Sequence, residues 1–256
     1  MYRTKSCIRA ETGSFTKGQH EVVEEFPLSV SLNGRNILTA MVSPGAIEDF
    51  VTGFLFTEQI IEGAQEIDSL MVEKERVSVL TKNPFRPVGA KKLVLSGCGG
   101  GSSFMDAKKL PKIASDAVYS PGDITAAMKN LTDSALHKLT GGVHVVGLLQ
   151  GTTLVHRAED IGRHNAMDKV IGFALRNAID LSHTAAISSG RISSEMVRKC
   201  LVANIPVIAS RGATTSLAVD VGAKNGLCII GFVRGGKMNI YTHPERIEGA
   251  GAACGA

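Results

Sequence analysis

Apolar and polar residues alternate through the first third of the chain. Glu21-Val22-Val23-Glu24-Glu25 and Leu28-Ser29-Val30-Ser31-Leu32 carry the two-residue period of strands, and Asn33-Gly34 supplies a hairpin turn into Ile37-Leu38-Thr39-Ala40-Met41-Val42. After Ser43-Pro44-Gly45 the period lengthens to that of a helix. Ile47, Phe50, Val51, Phe54 and Leu55 form one apolar stripe across residues 46–57. Strands at 69–73 and 76–81 complete a small α+β unit. Residues 82–92, with Pro84, Pro87, Gly89 and several basic side chains, read as a connection.

From residue 121 the rhythm becomes strand and helix in turn. Helices are expected at 121–139, 163–176, 193–203 and 215–224, and strands at 142–149, 153–157, 184–188, 206–209, 227–233 and 238–241. Strands separated by helices of this length imply an α/β domain whose mixed, mostly parallel sheet is covered on both faces. The organisation expected is an N-terminal β-rich α+β domain over 1–92, a glycine-cysteine loop and connection over 93–120, an α/β domain over 121–248 and a flexible tail over 249–256.

Composition narrows the function classes. A chain of 256 residues, 44% hydrophobic with mean hydropathy +0.12, can bury a real core. No apolar run reaches the roughly 18 residues a bilayer span needs, and the first residues have no signal-peptide core, so a cytoplasmic protein without a membrane partner is expected. Residues 1–80 hold 7 Lys+Arg against 12 Asp+Glu, and residues 81–256 hold 21 against 12. An anionic partner therefore belongs with the downstream part. Trp is absent and aromatics are 5%, which argues against a nucleic-acid partner that stacks bases.

The five cysteines are scattered without paired spacing, which suits reduced thiols better than disulfides or a zinc site. One of them is placed for chemistry. In Leu95-Ser96-Gly97-Cys98-Gly99-Gly100-Gly101-Ser102-Ser103 an apolar run ends in a thiol among glycines, which lack Cβ atoms and admit a large ligand.

Other polar residues gather where strands turn into helices, the usual ligand edge of an α/β sheet. Glu159-Asp160-Ile161-Gly162-Arg163-His164-Asn165, Ser188-Ser189-Gly190-Arg191-Ile192-Ser193 and Ser210-Arg211-Gly212-Ala213-Thr214-Thr215 each pair an arginine with a glycine and a hydroxyl or amide. Free N–H groups at a helix start and a guanidinium suit a phosphate or similar anion, so Arg163, His164, Arg191 and Arg211 are candidate ligand residues. Ordinary capping by Asp160, Ser193 or Thr214 is the competing account. His164 and His144 can each be acid–base groups or hydrogen-bonded structural imidazoles. Cys200 and Cys228 fall in a helix and a strand and read as core. Gly231-Phe232-Val233-Arg234-Gly235-Gly236-Lys237-Met238-Asn239 reads as a hairpin with a Gly-Gly turn.

Taken together, Thr140-Gly141-Gly142-Val143-His144, the string Glu159 through Lys169, Ser189-Gly190-Arg191 with Ser194-Glu195-Met196, Ile205 through Arg211, Thr215-Ser216-Leu217-Ala218 and Asn239 through Ile247 resemble the formate dehydrogenase accessory sulfurtransferase family, FdhD. The resemblance implies a three-layer, cytidine-deaminase-like main domain without zinc ligands, and a homodimer. It also implies a sulfurtransferase that carries persulfide sulfur from a cysteine desulfurase to the molybdenum cofactor, bis-molybdopterin guanine dinucleotide, for formate dehydrogenase. On the resemblance, Cys98 matches the persulfide cysteine, and Phe232, Val233, Arg234, Gly235, Gly236 and Lys237 match the stretch that takes the guanine dinucleotide. The family commonly has Cys-x-x-Cys in the loop, and its second cysteine is Gly101 here. Two other readings compete. One is a non-catalytic chaperone that binds the cofactor or a guanine nucleotide. The other, a deaminase-like enzyme, needs zinc ligands that the turns do not offer.

Overall fold

The computed structural model describes residues 1–83, the backbone of 94–96, and 110–251. Its first sheet follows from the alternation. Strands β3 (Phe26–Leu32) and β4 (Arg35–Val42) form a hairpin around Asn33 and Gly34, whose φ angles of 49° and 80° are those of a tight mirror-image turn. Counting β1 (Tyr2–Glu11) and β2 (Ser14–Val23) as the first two strands, β5 (Ile67–Glu73), β6 (Arg76–Thr81) and β7 (Val94–Ser96) complete a sheet in the order β5-β6-β3-β4-β7. β7 pairs with Leu38–Ala40 of β4, so this sheet extends past residue 92. Helix α1 (Ile47–Thr57) lays Phe50, Val51, Phe54 and Leu55 on Leu28, Val30, Leu38 and Val42.

β1 and β2 form a separate ten-residue ribbon. The alternation gives no sign of it before Glu21, because nearly every side chain of the ribbon is exposed on both faces and no period is imposed.

Downstream, the second sheet has the order β13-β12-β11-β10-β8-β9. Its strands are β8 (His144–Gln150), β9 (Thr153–Asp160), β10 (Thr184–Ser188), β11 (Val207–Ser210), β12 (Cys228–Arg234) and β13 (Lys237–Thr242). Only β10/β11 and β11/β12 are parallel, so the sheet is mixed as expected, but the expectation that it is mostly parallel is corrected: three of its five pairings are antiparallel. The cause lies in the connections. Gly151 (φ 56°) joins β8 to β9, and Gly235 and Gly236 (φ 55° and 79°) join β12 to β13, and turns this tight can only return the chain antiparallel. The helix expected over 121–139 is likewise two helices, α2 (Pro121–Thr132) and α3 (Ala135–Thr140). Ser134 interrupts it by accepting the His137 N–H and capping α3.

The sheet is the middle of three layers. Helices α4 (Arg163–Arg176), α5 (Ser194–Val202) and α6 (Ser216–Asn225) cover Val146, Leu148, Ile208 and Ile229 on one face. Ile124, Met128 and Leu131 of α2 cover Val145, Leu149, Ile187 and Ile230 on the other.

The two sheets are joined where α1 crosses α4. A Cβ added at Gly53 would lie 1.9 Å from the Asp168 carbonyl oxygen, and one at Gly172 1.8 Å from that of Asp49, so the two backbones touch. Buried charges flank the crossing. Lys169 Nζ is 2.8 Å from Asp160 Oδ2 and donates to the carbonyls of Ser43 and Glu159. Asp160 also accepts from the N–H groups of Ser43 and Gly162 and from the Asn165 amide, which donates in addition to Met41 O. On the other side Lys199 Nζ reaches both oxygens of Asp168 at 2.7 Å, and Thr57 donates to the same carboxylate. Arg198 holds the Thr57 carbonyl at 2.7 Å and pairs with Glu58.

The crossing leaves no room for a methyl group. Gly172→Ala is expected to lower unfolding free energy by about 3 kcal/mol, the upper range of overpacking penalties, measured by urea denaturation. A change below about 0.5 kcal/mol, the size of a neutral surface substitution, would show that the helices do not meet this closely.

Candidate anion-binding site

β10, β11 and β12 are parallel and end on one side of the second sheet, where α5 and α6 begin. The ladder sets β8 antiparallel to β10 and pairs His144 with Asp160 of β9, so β8 starts and β9 ends on that same side. All three polar turns named from the sequence therefore meet at one edge.

Inward-facing hydroxyls knit the turns together. Ser210 Oγ donates to Gly190 O at 2.6 Å, and Gly190 N donates to Ser188 Oγ. The amide of Arg211 donates to Ser188 O, and that of Gly212 to Ser210 Oγ. Gly190 is needed for close approach: a Cβ there would lie 2.9 Å from His144 Nδ1 and 3.2 Å from Arg163 Cβ. The first turn and His144 thus pack on the second turn. The third turn reaches β12, where Phe232 N donates to Gly212 O and Arg234 Nε to Arg211 O.

Phe232 sits at a bulge between β12 and β13 with φ 58°, a left-handed conformation that strains a residue with a Cβ, and the residue is 42% exposed. Its amide bond to the third turn holds that strain. Arg234, Gly235, Gly236 and Lys237 form the exposed hairpin end, as their spacing predicts. Val233 differs from its neighbours. Its side chain is buried in the core with Ile230 and Ile187, so only its backbone faces the turn.

The helix starts separate the two accounts of these turns. No side chain caps α4, whose N-cap is Gly162, and Ser193 at the N-cap of α5 makes no capping bond. Of these three helices only α6 is capped by a side chain, that of Thr215 in place of the expected Thr214. Asp160 is fully buried and spent on Lys169, Ser43 and Asn165. Ordinary capping thus explains one turn of three.

Electrostatics leave the edge rich in donors. Arg191, Arg211 and Arg234 are exposed, and Arg163 Nε is buried with no partner among the described residues. Burial, then the charges of Arg163, Lys199 and Arg198, push the His164 pKa down to about 3. Burial and then Arg163 also lower that of His144. Both imidazoles are neutral near pH 7, and the guanidinium groups carry the charge. An anion with a planar or tetrahedral oxygen face fits such an array.

Glu195 also stands at this edge, with Oε2 3.2 Å from His164 Nε2. Sequence reasoning gave it no role, because it lies 31 positions from His164 on another helix and no local spacing joins them. Among the described residues no group of three or more His, Cys, Asp or Glu side chains gathers as metal ligands, and no helix is long and apolar enough to cross a membrane. Cys98 and its glycines lie outside the described residues.

The FdhD/NarQ family profile matches residues 23–248. The chain belongs to the FdhD/NarQ family. Among its FdhD relatives, a protein of Staphylococcus haemolyticus named sulfur carrier protein FdhD is 36% identical over 253 residues, covering 95% of this chain and 96% of that protein. One of the same name from Bacillus subtilis is 35% identical over 250 residues, covering 94% and 95%. A Desulfotalea psychrophila crystal structure, provisionally described as a formate dehydrogenase accessory protein, superposes with a TM-score of 0.82 at 28% identity. The match covers 96% of this chain and 99% of that one. The string Glu159 through Lys169 does two jobs. Asp160, Asn165, Asp168 and Lys169 fasten the two sheets together, and Arg163 and His164 face the anion edge.

Two other cysteines are silent in this fold. Burial pushes the thiols of Cys200 and Cys228 up to about 12, leaving about one thiolate in ten thousand at pH 8. Brief alkylation of the native protein at pH 8, followed by peptide mapping, is expected to label Cys7, which is half-buried, and to spare Cys200 and Cys228 until the chain unfolds. Equal labelling of all three would contradict the burial described.

Proposed function

We propose that this FdhD-family chain is a sulfur carrier serving formate dehydrogenase, a sulfurtransferase that takes persulfide sulfur from a cysteine desulfurase and passes it to the molybdenum cofactor. The observation that carries this reading is the convergence of Arg163, Arg191, Arg211 and Arg234 at one sheet edge, in a family whose relatives are named sulfur carriers. The cargo, bis-molybdopterin guanine dinucleotide, carries two guanine dinucleotides, each joined through a diphosphate. Its anionic groups would lie against the arginines and its guanine end against the stretch Phe232 to Lys237.

In the loading step the Cys98 thiolate attacks the terminal sulfur of the donor's persulfide. One S–S bond forms, one breaks, and the donor leaves as its own thiolate, with no net oxidation. One sulfur nucleophile suffices for that exchange, so Gly101 in place of a second cysteine does not prevent it. Cations near the loaded thiol would favour its ionised form. The chain acts in the cytoplasm as a homodimer, and its three-layer main domain is of the cytidine-deaminase-like type. The N-terminal unit expected over 1–92 takes in β7 at Val94–Ser96, and the tail expected from 249 begins later, since Ala250 packs on the core of the α/β domain and donates to Ile247 O.

Gly101 is the one feature that favours a second reading, a chaperone that holds the cofactor without moving sulfur. Incubation with a desulfurase and sulfur-labelled cysteine separates the two. Carrier function predicts one added sulfur mapped to Cys98, absent in Cys98→Ala, and loss of formate dehydrogenase activity in cells that carry the variant. An active dehydrogenase alongside Cys98→Ala would establish the chaperone instead.

A further inference from the structure

His164 and Glu195 stand on the first turns of neighbouring helices, α4 and α5. The imidazole Nε2 lies 3.2 Å from Glu195 Oε2 and 3.1 Å from Ser193 Oγ. The hydrogen bond of Nε2 runs to Ser193 Oγ, and Glu195 Oε2 stands beside that line, close enough for its negative charge to favour a hydrogen over a bare lone pair on Nε2. The nitrogen that faces Glu195 therefore carries the hydrogen. Ser193 accommodates that arrangement, since at the N-cap of α5 it forgoes the usual bond to the helix and leaves its hydroxyl, which can accept as well as donate, to the imidazole.

The groups around the ring hold it neutral. His164 is largely buried, and Arg163 on its own helix, Lys199 and Arg198 on α5 and His144 on β8 all oppose a further positive charge. A neutral imidazole with its hydrogen on Nε2 has a lone pair on Nδ1. Nδ1 has no partner among the described residues, and the side chain keeps 29% of its surface exposed. Every arginine at this edge offers only donors, so His164 brings an acceptor to it.

We propose that Glu195 is a positioning residue that fixes His164 as the Nε2–H tautomer, and that His164 Nδ1 is a specificity-determining acceptor that takes a hydrogen bond from a hydroxyl or N–H group next to the phosphates of the cargo. The arginines then select for charge, and His164 selects phosphate esters with a donor group over bare phosphates. The ligand half of this assignment rests on the anionic, nucleotide-bearing cargo proposed above. The tautomer half stands without it.

The tautomer is read by long-range 1H–15N correlation spectra of the full chain at pH 7. The expected result is His164 protonated at Nε2 alone, with both ring-nitrogen shifts moving toward the average of the two tautomers in Glu195→Ala and returning in Glu195→Gln. Protonation at Nδ1 in the unaltered protein, or shifts that ignore Glu195→Ala, would overturn the positioning role. Calorimetric titration then compares GDP with pyrophosphate. His164→Ala is expected to weaken GDP about tenfold and pyrophosphate less than twofold, because a neutral ring adds nothing to a bare anion. His164→Asn, whose amide stands near the place of Nδ1, is expected to recover most of the GDP affinity. Equal weakening of both ligands would make His164 a cationic phosphate ligand and overturn the specificity role. Failure of the unaltered protein to bind either ligand would instead overturn the nucleotide reading of the site, with the spectra unaffected.

Discussion

The contact between α1 and α4 is the constraint on which the rest of the structure depends. Gly53 and Gly172 let the two helices meet backbone to backbone, and the gap on either side is closed by buried lysines. Lys169 and Lys199 are each almost completely buried, a costly position for an ammonium unless every proton finds an oxygen. They find them. Lys169 bridges Asp160, Ser43 and Glu159, and Lys199 bridges Asp168 and Thr57. Such pairs add little over well-packed apolar groups, and their worth here lies in specification. Only one register of α1 against α4 satisfies both.

That register decides where the anion edge lies. Asp160 closes β9 and Asn165 anchors the first turn of α4 to Met41, which sets Arg163, lying between them, with its Cβ against Gly190. Arg198 and Lys199 on α5 grip Thr57 at the far end of α1, which fixes the start of α5 with Ser193 and Glu195 against His164. The N-terminal sheet thus acts at a distance, by clamping the two helices whose first turns carry the candidate ligand groups.

Much of this was legible in the chain. The limits of α4 at 163 and 176 and of β10 at 184 and 188 follow directly from the pattern, because both elements bury a continuous face. The three polar turns were likewise visible as arginine beside glycine. Strand direction was legible only in part: the Gly235-Gly236 hairpin shows in the sequence, but alternation of helix and strand is equally compatible with the return at Gly151 and with β8 running antiparallel to β10. The β1–β2 ribbon escaped because exposed strands have no buried side to impose a period. The division of labour in the string Glu159 through Lys169 escaped for a different reason. Asp168 meets Lys199 and Thr57 across 31 and 111 positions, and no local spacing announces a pair formed only by packing.

The central claim is that this string contains both scaffold and site, with charged residues of each kind side by side. Urea unfolding of Lys169→Met and Arg163→Ala tests it most directly. Lys169→Met leaves Asp160 buried without its cation and is predicted to cost about 3 kcal/mol, whereas Arg163→Ala removes a guanidinium whose Nε has no partner among the described residues and is predicted to cost under about 1 kcal/mol. Equal losses in the two variants, or a larger loss at Arg163, would contradict the account.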